Sequence, residues 1–414
     1  MRTFDVAVLG AGAAGLMAAI RAAESGARTV LVEKNRKPGV KILASGGGRC
    51  NLTTTREGSA LLNTFPEAQR AFLRPSLRAL TPRRLRGWFE ARGVALREEA
   101  MEKVFPVAGK ASVVLDALVT AADAAGVEFQ CGAAVTGLEP GWTIVTDGED
   151  LAAAAVILAV GGRSYPKAGT TGDGYSIART LGLQVTELRP GLVGLRTGAE
   201  DLWGLAGIAV DPARIRLFDR ATGATRRASD RPVLFTHEGF SGPGPMNLAG
   251  LLGEGESGWL SIDLCPDLGF DAIDRAVVDA GKSRRKNVFA LLPSRLPERL
   301  RRALVARAEI SQETTAATLS REARRRLVNM VKGLEVEVLG TLGYDRAEVT
   351  VGGVALDQVD PKTMAVGRVP GLYVCGEVLD VDGPIGGFNF QAAFATGWVA
   401  GEAASRSDPV RLLG

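Results

Sequence analysis

The sequence predicts an α/β fold whose main domain is discontinuous. A three-layer, parallel-sheet domain begins at the N-terminus and is completed at the C-terminus, with other structure inserted between. Three observations predict it. Residues 4–34 run strand, glycine turn, helix, strand as one unit. A second strand–glycine–helix unit stands at residues 371–397. Between them, after Pro190, short β-like runs give way to an arginine-rich helical stretch.

The first unit opens with "FDVAVL", Phe4 to Leu9, an apolar run of buried parallel-strand character. Gly10, Gly12 and Gly15 follow in the spacing GxGxxG, and good helix formers come next, through "AAGLMAAIRAAES". Gly26 stops that helix, and "ARTVLVE" reads as a second strand ending at Glu33, 18 residues past Gly15. Each position has a mechanical job. Gly10 permits the tight turn, Gly12 lets backbone approach a pyrophosphate, and Gly15 lets helix and strand pack closely. Ala13 and Ala14 open a helix whose free N–H groups and positive dipole end suit phosphates. A carboxylate at Glu33 accepts hydrogen bonds from ribose hydroxyls and repels a 2′-phosphate. The unit is a Rossmann-like dinucleotide site, and by itself it does not choose between NAD and FAD.

Residues 39–51, "GVKILASGGGRCN", follow. Gly46 to Gly48 make a plastic loop able to wrap a flat ring or a phosphate, and Arg49 supplies a fixed cation. "AAAAVILAVGGRSYP", residues 152–166, is a further strand ending in Gly161-Gly162 and belongs with the nucleotide-binding half. "GTTGDGYSIARTLG" gives a loop and a helix with Asp173 near its start. "ARIRLF" and "RPVLFT" are short strands of a β-rich insert, expected to be barrel- or sandwich-like. At the far end "LYVCG" is a strand ending in Gly376-Glu377, and Gly386-Gly387 precede the helix "FNFQAAFATGWVAGEAA". The expected organisation is 1–188 and 344–414 as one divided domain, with 189–270 as a β-rich subdomain and 271–343 as a helical one.

Composition bounds the rest. The chain has 414 residues, 46% of them hydrophobic, and a mild net charge of +4. Four cysteines far apart and one histidine exclude a zinc spacing, a disulfide framework and a multi-histidine metal site, so no metal is expected. No apolar run reaches the ~18 residues of a membrane span, and no cleavable leader is legible at the N-terminus. A soluble, cytoplasmic protein with no membrane partner is the expectation. Oligomeric state is not legible.

Five segments together carry a resemblance. They are "DVAVLGAGAAGLMAA", "KPGVKILASGGGRCNLT", "LAVGGRSYPKAGTTGDGY", "LFTHEGFSGPGPMNLAG" and "GLYVCGEVLDVDGPIGGFNFQAA". The chain resembles the two-dinucleotide-binding-domain flavoproteins, and more closely the BaiN/RdsA-like (YhiN-type) bacterial flavoprotein family of FAD-dependent oxidoreductases. The resemblance implies FAD as cofactor. It implies a site built from Gly10, Gly12, Ala13, Ala14, Gly15, Glu33, Lys34 and Lys41, from the loop Gly47, Gly48, Arg49, Cys50 and Asn51, and from Gly161 and Gly162. Gly376, Glu377, Gly386, Gly387, Phe388, Asn389 and Gln391 complete it, and Val135 in "VTGLE" gives the adenine a backbone contact. It also implies activities ranging from reduction of uridine in ribosomal RNA to amine oxidation and reduction of conjugated steroid ketones. Residues from about 250 to 340 match no motif of the family.

No second GxGxxG with a strand before it and an acid after it occurs, so no resident NAD(P)H domain is expected, and the flavin is reduced either by a transiently docked NAD(P)H or by the substrate itself. The cofactor supplies the hydride chemistry, and the protein positions the substrate and moves a proton. Cys50 and His237 are the expected catalytic groups. A cation beside Cys50 lowers its pKa, and His237 has the right intrinsic pKa; Tyr165 and Lys167 come after them. No GxSxG elbow occurs, which disfavours hydrolysis. The stretch 282–332 carries Lys282, Arg284, Arg285, Lys286, Arg295, Arg299, Arg301, Arg302, Arg321, Arg324, Arg325, Arg326 and Lys332, and is the expected contact surface for RNA. The function expected is NAD(P)H-fed reduction of a C=C bond, in ribosomal RNA uridine. The alternatives are a small-molecule amine oxidase or enone reductase, and a flavin-bearing RNA-binding factor without turnover.

Overall fold

Strand β1, Arg2–Leu9, is apolar and buried along its C-terminal half, as a strand covered on both faces must be. It feeds helix α1, Ala13–Glu24, and then β2, Thr29–Glu33, which is buried throughout. The computed structural model describes residues 1–139, 141–280 and 286–407. They divide into residues 1–188 with 348–407, and residues 189–347.

In the first unit the chain continues through helices α2, Glu67–Ala79, and α3, Pro82–Glu90, to α4, Ser112–Ala124. Strands β3, Glu128–Cys131, β4, Val135–Glu139, β5, Thr143–Thr146, and β6, Leu151–Leu158, follow. Strand β7, Leu372–Val374, and helix α5, Phe388–Ala404, come from the chain's far end. The sheet order is β3-β2-β1-β6-β5-β4, with β7 also on β6. The β1–β2, β2–β3, β1–β6 and β6–β7 pairings are parallel, whereas β4–β5 and β5–β6 are antiparallel. β6 shares one edge between two partners. Its first residues pair with β5 and its last three with β7. That is how residues more than 200 positions apart in sequence finish one sheet.

α5 is apolar nearly all round, which suits a helix buried in the core rather than lying on a surface. It lies directly on α1. A Cβ at Gly397 would stand 2.3 Å from Ala14 O, and one at Gly401 2.2 Å from Ala18 O. Two glycines one turn apart on α5 thus meet two alanines one turn apart on α1.

The second unit is one eight-stranded sheet with helices. Its order is 209–210, 233–235, 239–241, 195–197, 334–341, 258–263, 214–218, 225–229, and every pairing given is antiparallel. This corrects the expectation of separate β-rich and helical subdomains. The strand Leu334–Thr341, which follows the arginine-rich helices, inserts between 195–197 and 258–263. Leu300, Leu304, Leu327 and Val331 from those helices share one core with Ile215, Leu260 and Ile262. An amphipathic helix and a one-faced sheet each need a cover, and here each covers the other.

Candidate cofactor site

The GxGxxG turn sits where β1 meets α1. Glycine is required there for two opposite reasons. A Cβ on Gly15 would fall 1.8 Å from Gly10 O, inside the turn itself. A Cβ on Gly12 would meet nothing within 4 Å, and the backbone there (φ −81°) suits any residue. Gly15 is demanded by packing. Gly12 leaves an opening at the N-terminus of α1, where no side chain caps the free N–H groups. An uncapped helix start beside open space is what a pyrophosphate needs.

Glu33 ends β2 and is nearly buried. One carboxylate oxygen accepts from Ala11 N at 2.8 Å and the other from Asn35 N at 2.8 Å. Glu33 therefore holds the glycine loop in place and, having about four lone-pair sites, keeps capacity for ribose hydroxyls. Ala133 N donates to Glu33 O at 3.0 Å, which brings Val135 at the start of β4 close to the same strand end. Lys34 is committed elsewhere, donating to Thr171 Oγ1 at 2.6 Å and to Asp173. Desolvation opposes the ionised form of Asp173, but the Lys34 ammonium and the Thr171 hydroxyl prevail and hold its carboxyl below the usual range.

The triglycine loop adopts three successive left-handed conformations, with φ 56°, 68° and 82° at Gly46, Gly47 and Gly48. Side chains rarely adopt even one such conformation. All three residues are exposed, and a Cβ on Gly47 would meet nothing. Arg49 is less free than expected. Its guanidinium donates to both Glu99 oxygens, at 3.1 and 3.2 Å, and lies 4.1 Å over the Phe105 ring. Asn51 Oδ1 accepts from Val104 N at 3.3 Å.

Cys50 corrects the expectation of an activated thiol. The residue has no exposed surface, and burial pushes its pKa up to about 12 against a hydrogen bond from Ser45 that acts the other way. Desolvation of a thiolate outweighs that single hydrogen bond. With no surface, Cys50 can touch neither substrate nor cofactor. The Gln391 side chain likewise has no exposed surface. It is fully buried, with Oε1 accepting from Thr53 Oγ1 at 2.6 Å and Nε2 donating to Leu80 O at 2.6 Å. Phe388, 1% exposed, stacks edge-on with Phe65 and likewise has almost nothing to offer a ligand. These two side chains anchor the start of α5.

Gly387 is the N-cap of α5, with φ 83°, and a Cβ there would stand 2.2 Å from Thr53 O. No side chain caps this helix either. Asn389 braces the preceding turn, donating to Gly383 O and accepting from Gly383 N, both at 2.8 Å. Gly386 folds against the Phe388 ring. Gly376 passes so close to α1 that a Cβ would stand 2.6 Å from Ala14 Cβ.

Glu377 centres a polar cluster that sequence reasoning only half found. It accepts from Lys41 Nζ at 2.6 Å, from Ser164 Oγ at 2.8 Å and from Thr350 N at 2.9 Å. Lys41 also donates to Ser164 Oγ at 2.8 Å. Thr350 Oγ1 accepts from Arg163 N at 2.8 Å and Ser164 N at 3.1 Å. Gly162 lies under this cluster, where a Cβ would be 2.4 Å from Thr350 Oγ1, and Gly161 turns the chain at φ 77°. Surrounding protein pushes the Glu348 carboxyl up from its ordinary value, offset in part by Lys103 and Lys41. Ser164 and Thr350 were missed because neither stands in a spacing that marks it; only the fold joins them.

Tyr165 follows Ser164 on the same turn. It is 38% exposed and left-handed, at φ 56°. A large non-glycine residue is held in that region at a cost in backbone strain. His237 belongs to the second unit, exposed at the turn between strands 233–235 and 239–241.

The arginine-rich segment is largely neutralised within its own unit. Arg295 pairs with Asp267, Arg302 with Glu298, Arg307 with Asp201, Arg324 with Asp274 and Lys332 with Asp263. Arg299, Arg301 and Arg326 donate to the carbonyls of Ala206, Phe289 and Ala308. Lys286, Arg321 and Arg325 remain exposed. Lys282, Arg284 and Arg285 lie outside the described residues. Among the described residues no cluster of His, Cys, Asp and Glu could hold a metal ion, and no helix is long and apolar enough to cross a membrane.

A family model described as HI0933-like protein Rossmann domain matches residues 4–403. The ribosomal RNA dihydrouridine synthase of Escherichia coli (strain K12) is 33% identical, over 97% of this chain and 98% of that protein. A protein of the same name from Haemophilus influenzae is 31% identical, over 96% and 98%. The 3-dehydro-bile acid delta(4,6)-reductase of Clostridium scindens is 30% identical, over 97% and 98%. Among solved structures, a quinol-fumarate reductase with menaquinol molecules aligns at a TM-score of 0.51 with 16% identity, covering 98% of this chain and 71% of that one. The 3-ketosteroid delta1-dehydrogenase of Sterolibacterium denitrificans aligns at 0.50 with 13% identity, covering 99% and 100%. At those identities the likeness is one of fold.

Proposed function

The chain belongs to the HI0933-like Rossmann family and is an FAD-dependent oxidoreductase, and from that premise we propose that it reduces a carbon–carbon double bond conjugated to a carbonyl, with uridine of ribosomal RNA as the substrate. One observation carries the proposal. Relatives matched over nearly their full length bear names that describe reduction of such a bond, in uridine twice and in a bile acid once. Uridine is the reading favoured by the two relatives that share a name.

The residues present fit an adenine–flavin dinucleotide. The open side of Gly12 and the uncapped start of α1 would take the pyrophosphate, and Glu33 the ribose. The exposed left-handed turn Gly46–Gly48 and the uncapped, positive end of α5 would face the ring. Bound there, FAD would supply the hydride chemistry, with a nicotinamide as the electron donor.

This chain's own residues then bind, orient and protonate. Hydride addition at the carbon β to the carbonyl leaves negative charge that a proton at the α carbon must quench. The phenol Oη of Tyr165 is the group assigned to deliver it. Cys50 has no surface, whereas Tyr165 is exposed on the turn after β6. Ser164, locked between Lys41 and Glu377, fixes the backbone that presents it. Tyr165→Phe should leave the absorbance of bound FAD and its anaerobic bleaching by NADPH or NADH intact. It should lower turnover of the double bond by about 10²–10⁴-fold, the usual contribution of one general acid. Equal loss in both half-reactions would show a structural role instead. Dihydrouridine analysis of ribosomal RNA from a deletion strain tests the substrate: unchanged content removes uridine and leaves a small conjugated ketone.

A further inference from the structure

We infer that the RNA docks on the arginine face of α2 and α3, in the same unit as the cofactor residues, and not on the arginine-rich segment 282–332. The inference rests on the reading of an RNA substrate and names the surface that reading requires.

Residues 67–92 carry seven arginines against two acids, Glu67 and Glu90. Arg70, Arg74 and Arg78 recur every fourth residue, so they share one face of α2. The opposite face is spoken for by Phe72, Leu73 and Leu77, which join the core. Arg74 and Arg78 are exposed and have no hydrogen-bond or ion-pair partner among the described residues. Arg83 and Arg84 continue the face at the start of α3, and both are exposed. Their setting is not one that folding alone favours, because cations at a helix N-terminus oppose the dipole. Thr81 Oγ1 and Glu57 Oε1 already accept from the first amides of α3, Arg84 N at 3.2 Å and Arg83 N at 2.8 Å. The patch therefore acts through its guanidinium groups. Two acids, Glu57 and Glu67, border it.

Charge, together with membership of the unit that holds the cofactor residues, decides between the two arginine-rich regions. A cation already paired with a carboxylate must break that pair to bind a phosphate. Arg295, Arg302, Arg307, Arg324 and Lys332 are paired in this way. Arg74 and Arg78 are not, so they release counterions to bind a polyanion at no such cost; Arg321 and Arg325 are likewise exposed without a partner among the described residues, but they stand in the unit that holds none of the cofactor residues. The corner between α2 and α3 is also tied to the cofactor side of the unit, since Leu80 O accepts from Gln391 Nε2 near the start of α5. A strand held by its phosphates on this face starts beside the helix whose positive end faces the cofactor.

The test uses the FAD-loaded full chain and a labelled, uridine-containing RNA hairpin, with binding read by anisotropy across a salt series. Arg74→Glu with Arg78→Glu should weaken binding about tenfold or more and reduce the slope of log affinity against log salt by about 1.5, as expected for two lost phosphate contacts. FAD absorbance and the bleaching by NADPH should not change, which shows the variant is folded. Arg321→Glu with Arg325→Glu should bind as the wild type does. If the α2 variant binds normally while the wild type binds RNA, the docking surface is overturned and the RNA reading stands. If the wild type binds no RNA, both fall. Retained RNA binding with lost binding to phosphatidylglycerol vesicles would reassign the face to an anionic lipid surface and overturn the inference.

Discussion

Two neighbouring glycines separate the demands of folding from those of binding. Gly12→Ala adds a methyl group to open space, so the melting temperature of the apoprotein should be nearly unchanged. The same methyl group stands in the opening assigned to the pyrophosphate, and FAD affinity should fall by more than about tenfold, or ~1.4 kcal/mol. Gly15→Ala should do the reverse: its Cβ would overlap Gly10 O, and the fold itself should lose about 1–3 kcal/mol or more. Thermal melts of apoprotein and titrations with FAD distinguish them, and equal effects of the two changes would remove the assignment of Gly12 to the ligand. Cysteine gives a second check. Cys50, Cys265 and Cys375 are buried and their thiols are pushed up by desolvation, to about 12 for Cys50. The half-exposed Cys131 is also raised, first by burial and then by Glu33. The native chain should therefore show at most one slowly reacting thiol towards Ellman's reagent at pH 8, and four in denaturant. A fast-reacting thiol assigned to Cys50 would restore it as a catalytic candidate.

At the scale of elements, the decisive contact is α1 against α5. Apolar composition marks both helices, yet their approach is set by backbone, through Gly397 and Gly401 over Ala14 and Ala18. Gly401→Ala needs the helices to part by enough to remove an overlap at 2.2 Å. It should cost about 1–3 kcal/mol of stability and weaken FAD binding as well, because α5 carries the Gly387 turn. A melting temperature equal to the wild type's would contradict the close crossing. The β-hairpin of β4 and β5 shows what a strand motif hides. "VTGLE" is legible as a strand, but nothing in it says that its pairing is antiparallel or that β5 yields the edge of β6 to β7 halfway along.

For the whole molecule, the divided unit makes a prediction about fragments. Residues 189–347 hold their own sheet and their own core, so that segment expressed alone should unfold cooperatively with the circular dichroism of a mixed α/β fold. Residues 1–188 alone lack β7 and α5, leave β6 with an open edge and uncover α1, and should neither melt cooperatively nor bind FAD. A stable, yellow 1–188 fragment would refute the dependence. The sequence by itself determined the βαβ unit, the carboxylate at Glu33 and the closing strand–glycine–helix unit, because each follows from local periodicity and from backbone angles that only glycine adopts with ease. It also located the arginines. Only the tertiary structure decided which of them are already paired, that the thiol of Cys50 and the amide of Gln391 are sealed from any ligand, and that Lys41, Ser164, Thr350 and Glu377 form one cluster. Burial and ion pairing depend on residues that are distant along the chain, and desolvation is a property of the space around a group, so neither is written in the spacing of neighbours.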